Sequence, residues 1–210
     1  GRRRGRSGGG EGDRGTMRAG GGDIGVTQEV IDSEKLDVII ANKNSPKQAV
    51  LSGSMDAVKK AKEVFDARKI TSTPLTVAAA FHSHLVADAA GPFAEGLAEI
   101  KFAKATIPVY SNTTGAAYPK KADDIRTLLA NQLANPVEFV QEISAMHEAG
   151  IRTFIEVGPG SRMTGLVKAI LDGKEINAYA LDVSSGKKSG IADLAKTLAQ
   201  TAALGHAVDF

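Results

Sequence analysis

The pattern of apolar and polar positions divides the chain into strands and helices from about residue 27 onward. Short apolar runs rich in β-branched side chains predict strands, and apolar residues at three- and four-residue spacing predict helices. The first predicted elements are a helix at 27–33, strands at 37–41 and 48–52, a helix at 55–69 and a strand at 73–78. A weaker strand at 16–19 completes the order βαββαβ of a ferredoxin-like unit.

The second half of the chain continues the alternation. Its predicted elements are a helical region at 85–100 interrupted at Gly91-Pro92, a strand at 107–111, helices at 123–134 and 136–148, a strand at 151–157, a helix at 161–171, a strand at 177–183 and a helix at 191–204. Strands that alternate with helices predict a parallel sheet covered on both faces. The sequence therefore predicts the α/β class.

The first 25 residues differ in composition from the rest. They contain eleven glycines and six arginines, against only Glu11, Asp13 and Asp23, so this segment carries a charge of +3 and the remainder −1. A glycine-rich stretch of this kind is predicted to be flexible or irregular, because burial cannot offset its ordering entropy. The basic residues are not spread over a folded face with aromatic side chains between them, so we predict no nucleic-acid partner.

Cysteine and long apolar runs are both missing from the sequence. The 210 residues include no cysteine, which excludes disulfides and thiolate metal sites and is typical of proteins of the reducing cytosol. No apolar run reaches the roughly 18 residues of a membrane span. We therefore predict a cytoplasmic protein without a membrane partner.

The most informative chemical motif is Ala79-Ala-Phe-His-Ser-His84. His82 follows a predicted buried strand, and loops at strand ends are where α/β folds carry catalytic groups. An imidazole can accept a proton from a hydroxyl near neutral pH. A structural histidine is the more common reading of such a residue taken alone. The pair His82 and His84 suggests a metal site only weakly, because no further cluster of ligands accompanies it.

Three other stretches have unusual polar or glycine patterns. Asn42-Lys-Asn-Ser-Pro-Lys-Gln48 has turn chemistry, and its asparagines either shape the turn or bind a substrate. Asn131-Gln-Leu-Ala-Asn-Pro-Val137 predicts a corner with proline at the first position of the next helix. Glu156-Val-Gly-Pro-Gly160 leads a strand into a helix N-terminus, which favours anions but lacks both a Walker lysine and dinucleotide glycine spacing. Tight strand–helix packing is its simpler reading.

These four stretches, in this order and spacing, resemble the acyltransferase domains of fatty-acid and polyketide synthases. The resemblance covers about residues 17–205, and the segment Val109-Tyr-Ser-Asn-Thr-Thr-Gly115 is similar to polyunsaturated fatty-acid and iterative polyketide synthases. It implies a ferredoxin-like subdomain at 17–79 and the C-terminal part of an α/β-hydrolase-like large subdomain at 80–206. Residues 1–16 would be a flexible Gly/Arg-rich segment or an edge of the large subdomain.

The resemblance also implies an activity and a set of site residues. Such enzymes move an acyl group, usually malonyl, from coenzyme A to an acyl carrier protein through a seryl ester, with coenzyme A thioester as substrate and no cofactor or metal. His82 would be the general base and Gln132 would orient it by an oxygen atom. Asn44 would line the site, and Phe81 would favour malonyl over methylmalonyl groups. Other synthase domains would be further partners.

Two features depart from the family pattern. The family nucleophile lies in a Gly-His-Ser-x-Gly motif that the 210 residues do not contain, so we expect this serine to lie outside the chain. Ser7 matches only the bare Gly-x-Ser-x-Gly pattern and lacks the strand and helix of a nucleophile elbow. The arginine that would grip the malonyl carboxylate has Arg4 as its nearest match.

Two alternatives to an acyltransferase remain open at the level of sequence. The chain could be a non-catalytic module of a synthase that docks the carrier protein or acts as a scaffold. It could also be a small α/β ligand-binding protein that uses the turn at Gly158–Gly160.

Overall fold

A computed structural model of the chain describes residues 15–77 and 79–208. The contacts divide the chain into two compact units. The first holds the described residues within 1–43, 47–107 and 119–137, and the second those within 44–46, 108–118 and 138–210. In the part of the chain that the structure describes, every helix is too short or too polar to cross a membrane.

The predicted ferredoxin-like unit is present and accounts for most of the first unit. Its elements are β1 (Thr16–Gly21), α1 (Ile24–Ser33), β2 (Val38–Ser45), β3 (Gln48–Gly53), α2 (Met55–Ala67) and β4 (Thr71–Pro74). The sheet has the order β2-β3-β1-β4, and β1 runs antiparallel to both β3 and β4. Both helices begin at side-chain caps: Asp23 accepts hydrogen bonds at the start of α1, and Ser54 does so at the start of α2.

Alternating side chains of β2 and β3 build two apolar layers, because successive residues of a strand point to opposite faces. One face packs against α1 and α2, where Leu51 and Phe65 are fully buried. Burial of a side chain such as Phe65 contributes about 2 kcal/mol. On the opposite face Met17, Ala41 and Val50 form a smaller buried cluster.

The other regular elements in the described part of the first unit are helices. A 3₁₀ helix (His84–Ala89) leads into α3 (Ala90–Ala98), which packs against α4 (Ala122–Asn131). The predicted break at Gly91-Pro92 falls instead at the junction of residues 89 and 90. Pro92 is tolerated in the first turn of α3 because the N–H groups of that turn have no partner within the helix. Arg126 of α4 donates to the carbonyl oxygens of Leu97 and Ile100, which ties the two helices together.

In the described part of the second unit, the predicted parallel sheet is represented by one pair of parallel strands. The elements of this unit are the short strands β5 (Tyr110–Ser111) and β6 (Ala116–Ala117), then α5 (Phe139–Glu148), β7 (Thr153–Pro159), α6 (Arg162–Ile170), β8 (Asn177–Asp182) and α7 (Gly190–Ala203). β7 and β8 are parallel, whereas β5 and β6 form an antiparallel hairpin. A cluster around Ile143, Val167 and Leu171 packs α5 and α6 together.

Several element predictions were wrong in position. The strand predicted at 73–78 spans 71–74, because its pairing with β1 runs from Thr71 to Pro74. The helix predicted from Pro136 begins at Phe139, because Val137 forms a parallel bridge with Asn42 instead of entering the helix. The strand predicted at 107–111 is reduced to Tyr110–Ser111 in a hairpin. The predicted subdomain limits at residues 16/17 and 79/80 stay predictions.

Candidate active site

The loop that carries His82 connects β4 to the 3₁₀ helix at 84–89. His82 has a φ of 57°, in the left-handed region that residues with a Cβ atom rarely adopt. The hydroxyl of Ser83 donates to the carbonyl of Ala80 at 2.6 Å and accepts a hydrogen bond from the amide of Leu85 at 3.3 Å. The hydroxyl of Ser52 in β3 donates to the carbonyl of Phe81 at 3.0 Å.

The chain just beyond α4 supplies both partners of His82. The Nδ1 atom of the imidazole lies 3.0 Å from the backbone carbonyl oxygen of Gln132, and the backbone amide of His82 donates to the carbonyl of Leu133 at 3.0 Å. Carbonyl groups at the end of a helix lack partners within the helix, so they are available to other groups. The C-terminal end of α4 thus fixes the ring and the backbone of one residue.

This contact determines which ring nitrogen of the neutral imidazole is free. A carbonyl oxygen can only accept, so Nδ1 must carry the proton that it donates to Gln132. The Nε2 atom then keeps its lone pair and can accept a proton from a hydroxyl. The ring is partly exposed, which leaves it accessible to a reacting group.

The structure describes only some of the residues predicted for the site. Gln132 contacts His82 through its backbone carbonyl. Phe81 precedes His82 in the same loop, with 39% of the residue exposed. Asn44 lies near the end of β2, is half-buried and belongs to the second unit. Arg4 and Ser7 lie outside the described residues, so their roles and those of Phe81 and Asn44 stay predictions.

The metal hypothesis for His82 and His84 finds no support in the described residues. His84 is exposed at the start of the 3₁₀ helix. Residues 15–77 and 79–208 contain no cluster of three or more histidine or carboxylate side chains that could hold an ion.

At the glycine turn that ends β7, the carboxylate of Glu156 lies at the N-terminus of α6. The carboxylate of Glu156 accepts hydrogen bonds from the Thr164 amide at 2.8 Å and from the Thr164 hydroxyl at 2.7 Å. Burial alone would raise the pKa of Glu156, but these bonds and those from the amides of Met163 and Arg162 outweigh it and lower the pKa below its usual range. The N-terminus of α6 is therefore occupied by a side chain, which favours the packing interpretation of this turn.

Sequence reasoning did not single out Ser52, Leu133 or Thr164. Ser52 and Leu133 bind backbone groups of the loop, namely the carbonyl of Phe81 and the amide of His82. Ser52 lies 29 residues from Phe81 in sequence. No local pattern signals such contacts. Thr164 had a usable signal, because a glutamate before a glycine turn and a threonine in the following helix are suited to an N-terminal cap.

Comparison with known proteins assigns the class. The family model described as "Acyl transferase domain" matches residues 11–205. The chain belongs to this acyltransferase family. Among curated relatives, the malonyl CoA-acyl carrier protein transacylase of Bacillus subtilis is 38% identical over 146 residues, which cover 69% of this chain and 45% of the relative. One of the subunits of the Thraustochytrium polyunsaturated fatty acid synthase is 31% identical over 171 residues, which cover 80% of this chain and 6% of that large protein.

Solved structures agree with this assignment. A malonyl CoA-acyl carrier protein transacylase from Clostridium perfringens superposes with a TM-score of 0.77 at 33% identity and covers 91% of this chain and 59% of its own. The acyltransferase domain of SpnD has a TM-score of 0.82 at 23% identity, with 91% and 46% coverage, and supports the fold alone. The chain thus spans about half the length of the single-domain relatives it matches.

Proposed function

We propose that the chain forms part of an enzyme that transfers malonyl groups from coenzyme A to an acyl carrier protein, with His82 as the general base. The observation that carries this proposal is the contact between Nδ1 of His82 and the carbonyl of Gln132, which leaves Nε2 as the proton acceptor. Family membership and the malonyl CoA-acyl carrier protein transacylases among the relatives support the reaction.

The mechanism follows from the tautomer of His82. Nε2 takes the proton from the serine of a Gly-His-Ser-x-Gly motif while the serine oxygen attacks the thioester carbonyl, and coenzyme A leaves with that proton as a thiol. In the second half the thiol of the carrier gives its proton to Nε2, its sulfur attacks the seryl ester, and the serine recovers a proton from the ring. The Gln132 carbonyl stabilises the imidazolium formed in each half.

The acyl carrier protein is part of the proposal. One solved relative, 30% identical with a TM-score of 0.74, is a malonyl-transacylase in complex with a type II polyketide acyl-carrier protein. This structure covers 87% of the present chain and 58% of its own. A bulky ring at Phe81 would crowd an α-methyl substituent, so we propose malonyl rather than methylmalonyl as the acyl group.

The test uses the polypeptide that joins this chain to the Gly-His-Ser-x-Gly motif. Transfer of malonyl from malonyl-CoA to the holo carrier is followed by mass spectrometry for the parental protein and for His82→Asn. Loss of a general base is expected to lower the rate roughly 10²- to 10⁴-fold. Asparagine is the chosen replacement because it tolerates a positive φ and should therefore preserve the backbone of the loop. Equal rates in both proteins would overturn the role of His82.

A second measurement concerns the nucleophile. The 210-residue chain alone is incubated with malonyl-CoA, and its intact mass is measured. We expect no malonyl adduct, because no serine of the chain lies in the family motif. A stable adduct on Ser7 would make that residue the nucleophile and would contradict the expectation.

Carrier binding without transfer by the joined polypeptide would favour a docking module instead.

A further inference from the structure

The peptide group between Phe81 and His82 is held at both of its polar atoms. Its carbonyl oxygen accepts the hydrogen bond from Ser52 at 3.0 Å, and its N–H donates to the carbonyl of Leu133 at 3.0 Å. These partners come from different elements, β3 and the segment after α4. Two opposed hydrogen bonds fix the orientation of a peptide plane, and the orientation of this plane sets the φ angle of His82.

The φ angle of His82 needs such support. At 57° it lies in a region that is disfavoured for a residue with a Cβ atom. A disfavoured conformation persists only where the surrounding structure holds it. The direction of the Cα–Cβ bond, and hence the position of the ring against Gln132, follows from this conformation.

The hydroxyl that holds the peptide group comes from a buried residue in a closely packed part of the first unit. Ser52 is 1% exposed, so water does not reach its hydroxyl. The neighbouring backbone is tightly packed: a Cβ atom on Gly15 would lie 2.4 Å from the Gly53 carbonyl and 2.6 Å from the Cβ of Ala80. Ser83, also 1% exposed, anchors Ala80 on the other side of Phe81. When Ser52 is lost, the Phe81–His82 peptide group keeps the hydrogen bond from its N–H to Leu133 but loses the one to its carbonyl oxygen, so the orientation of its plane is less well fixed.

We propose that Ser52 is a positioning residue for His82. Its hydroxyl orients the Phe81–His82 peptide group, which keeps the imidazole against the Gln132 carbonyl and so keeps Nε2 as the proton acceptor. The catalytic consequence rests on the proposed function of His82. The structural consequence, a fixed ring tautomer, does not.

The kinetic test compares Ser52→Ala and Ser52→Cys with a matched control in the polypeptide that contains the serine motif. Cysteine nearly preserves the volume of serine but is a weak donor, so it serves if the alanine variant does not fold. The control is Thr197→Val, which removes another buried hydroxyl that donates to a backbone carbonyl, that of Ala180 at 3.1 Å. We expect kcat to fall roughly 10- to 100-fold for the Ser52 variants with KM unchanged.

The control separates positioning from general stability. All three variants lose one buried hydrogen bond, so all are expected to melt at a lower temperature. Thr197→Val should nevertheless keep the parental kcat below its melting transition. Equal kcat values for the Ser52 variants and the parental protein would overturn the proposal, as would equal losses in the Ser52 variants and the control.

A spectroscopic test is independent of transfer. In the 210-residue chain labelled with ¹⁵N-histidine, long-range ¹H–¹⁵N spectra report which ring nitrogen is protonated, and His82→Asn assigns the signal. We expect protonation at Nδ1 in the parental chain and in Thr197→Val, and a mixture of tautomers in the Ser52 variants. An unchanged tautomer in the Ser52 variants would overturn the proposal. If this shift is observed but the parental polypeptide transfers no malonyl, the proposed function fails and the positioning role stands.

Discussion

The Nδ1 atom of His82 lies 3.0 Å from the backbone carbonyl oxygen of Gln132, so the partner of the imidazole is main chain. A carbonyl is neutral, in contrast to the aspartate of a serine–histidine–aspartate triad. It fixes the tautomer by geometry and, in the proposed mechanism, stabilises the imidazolium as a dipole.

Substitution of Gln132 is therefore expected to spare most of the activity. In Gln132→Ala the carbonyl remains at the end of α4, and we expect the transfer rate to fall less than tenfold, against a loss of roughly 10² or more for His82→Asn. Steady-state transfer to the holo carrier measures both. A loss in Gln132→Ala as large as that in His82→Asn would show that the side chain carries the orienting role.

Apart from the short strand β6, which no pattern predicted, the sequence was sufficient for the order of elements because each of the others has a local signal or a topological one. β1 is the instructive case: Met17-Arg-Ala-Gly-Gly21 is poor strand material, and only the need to complete βαββαβ predicted it. The structure shows why it forms: residues 18–21 pair with both β3 and β4. Tertiary pairing outweighs weak intrinsic preference.

The errors in position arise from the same cause. Val137 is set by its bridge to Asn42, and its amide donates to the carbonyl of Ala41 at 2.8 Å, almost a hundred residues away in sequence. Proline at 136 suggested a helix start, but nothing local indicates a bridge. The partners of His82 are similarly remote. The resemblance implied that an oxygen of Gln132 orients His82, whereas the contacts of Ser52 and Leu133 with the loop are visible only in the structure.

The carboxylate of Glu156 should make stability depend on acid pH. Its pKa is lower in the folded chain than the ordinary 4.5, so it contributes stability above that value. This contribution is lost as the pH falls through the lower, folded value. We expect the free energy of unfolding to decline below about pH 4.5 and to decline less steeply in Glu156→Gln. Urea titrations at several pH values measure this, with exposed Glu175→Gln as control. Identical pH dependence in Glu156→Gln and the parental chain would contradict the expectation.

β7 presents an apolar surface that is expected to promote self-association. In the described residues β7 pairs only with β8, and Ile155 and Val157 on one face are 43% and 80% exposed. Uncovered strands of this kind pair with other chains. We expect the 210-residue chain to show a concentration-dependent mass by light scattering.

The matched variants locate the surface responsible. Val157→Lys should reduce the association, because a charge on the strand opposes pairing. Ile191→Lys removes an equally exposed isoleucine, 80% exposed at the start of α7, and should leave the association largely intact. A monomeric parental chain at all concentrations, or an equal effect of both variants, would exclude β7 as the cause.

The left-handed conformation of His82 sets the stability of the fold against the proposed catalytic role at this position. Its strain is about 1–3 kcal/mol, and glycine or asparagine would relieve it. A laboratory selection for heat resistance alone is therefore expected to enrich glycine or asparagine at position 82. Histidine should be retained at this position only if the selection also requires turnover. The residues found at position 82 after selection therefore indicate whether the population was selected for heat resistance alone or for activity as well.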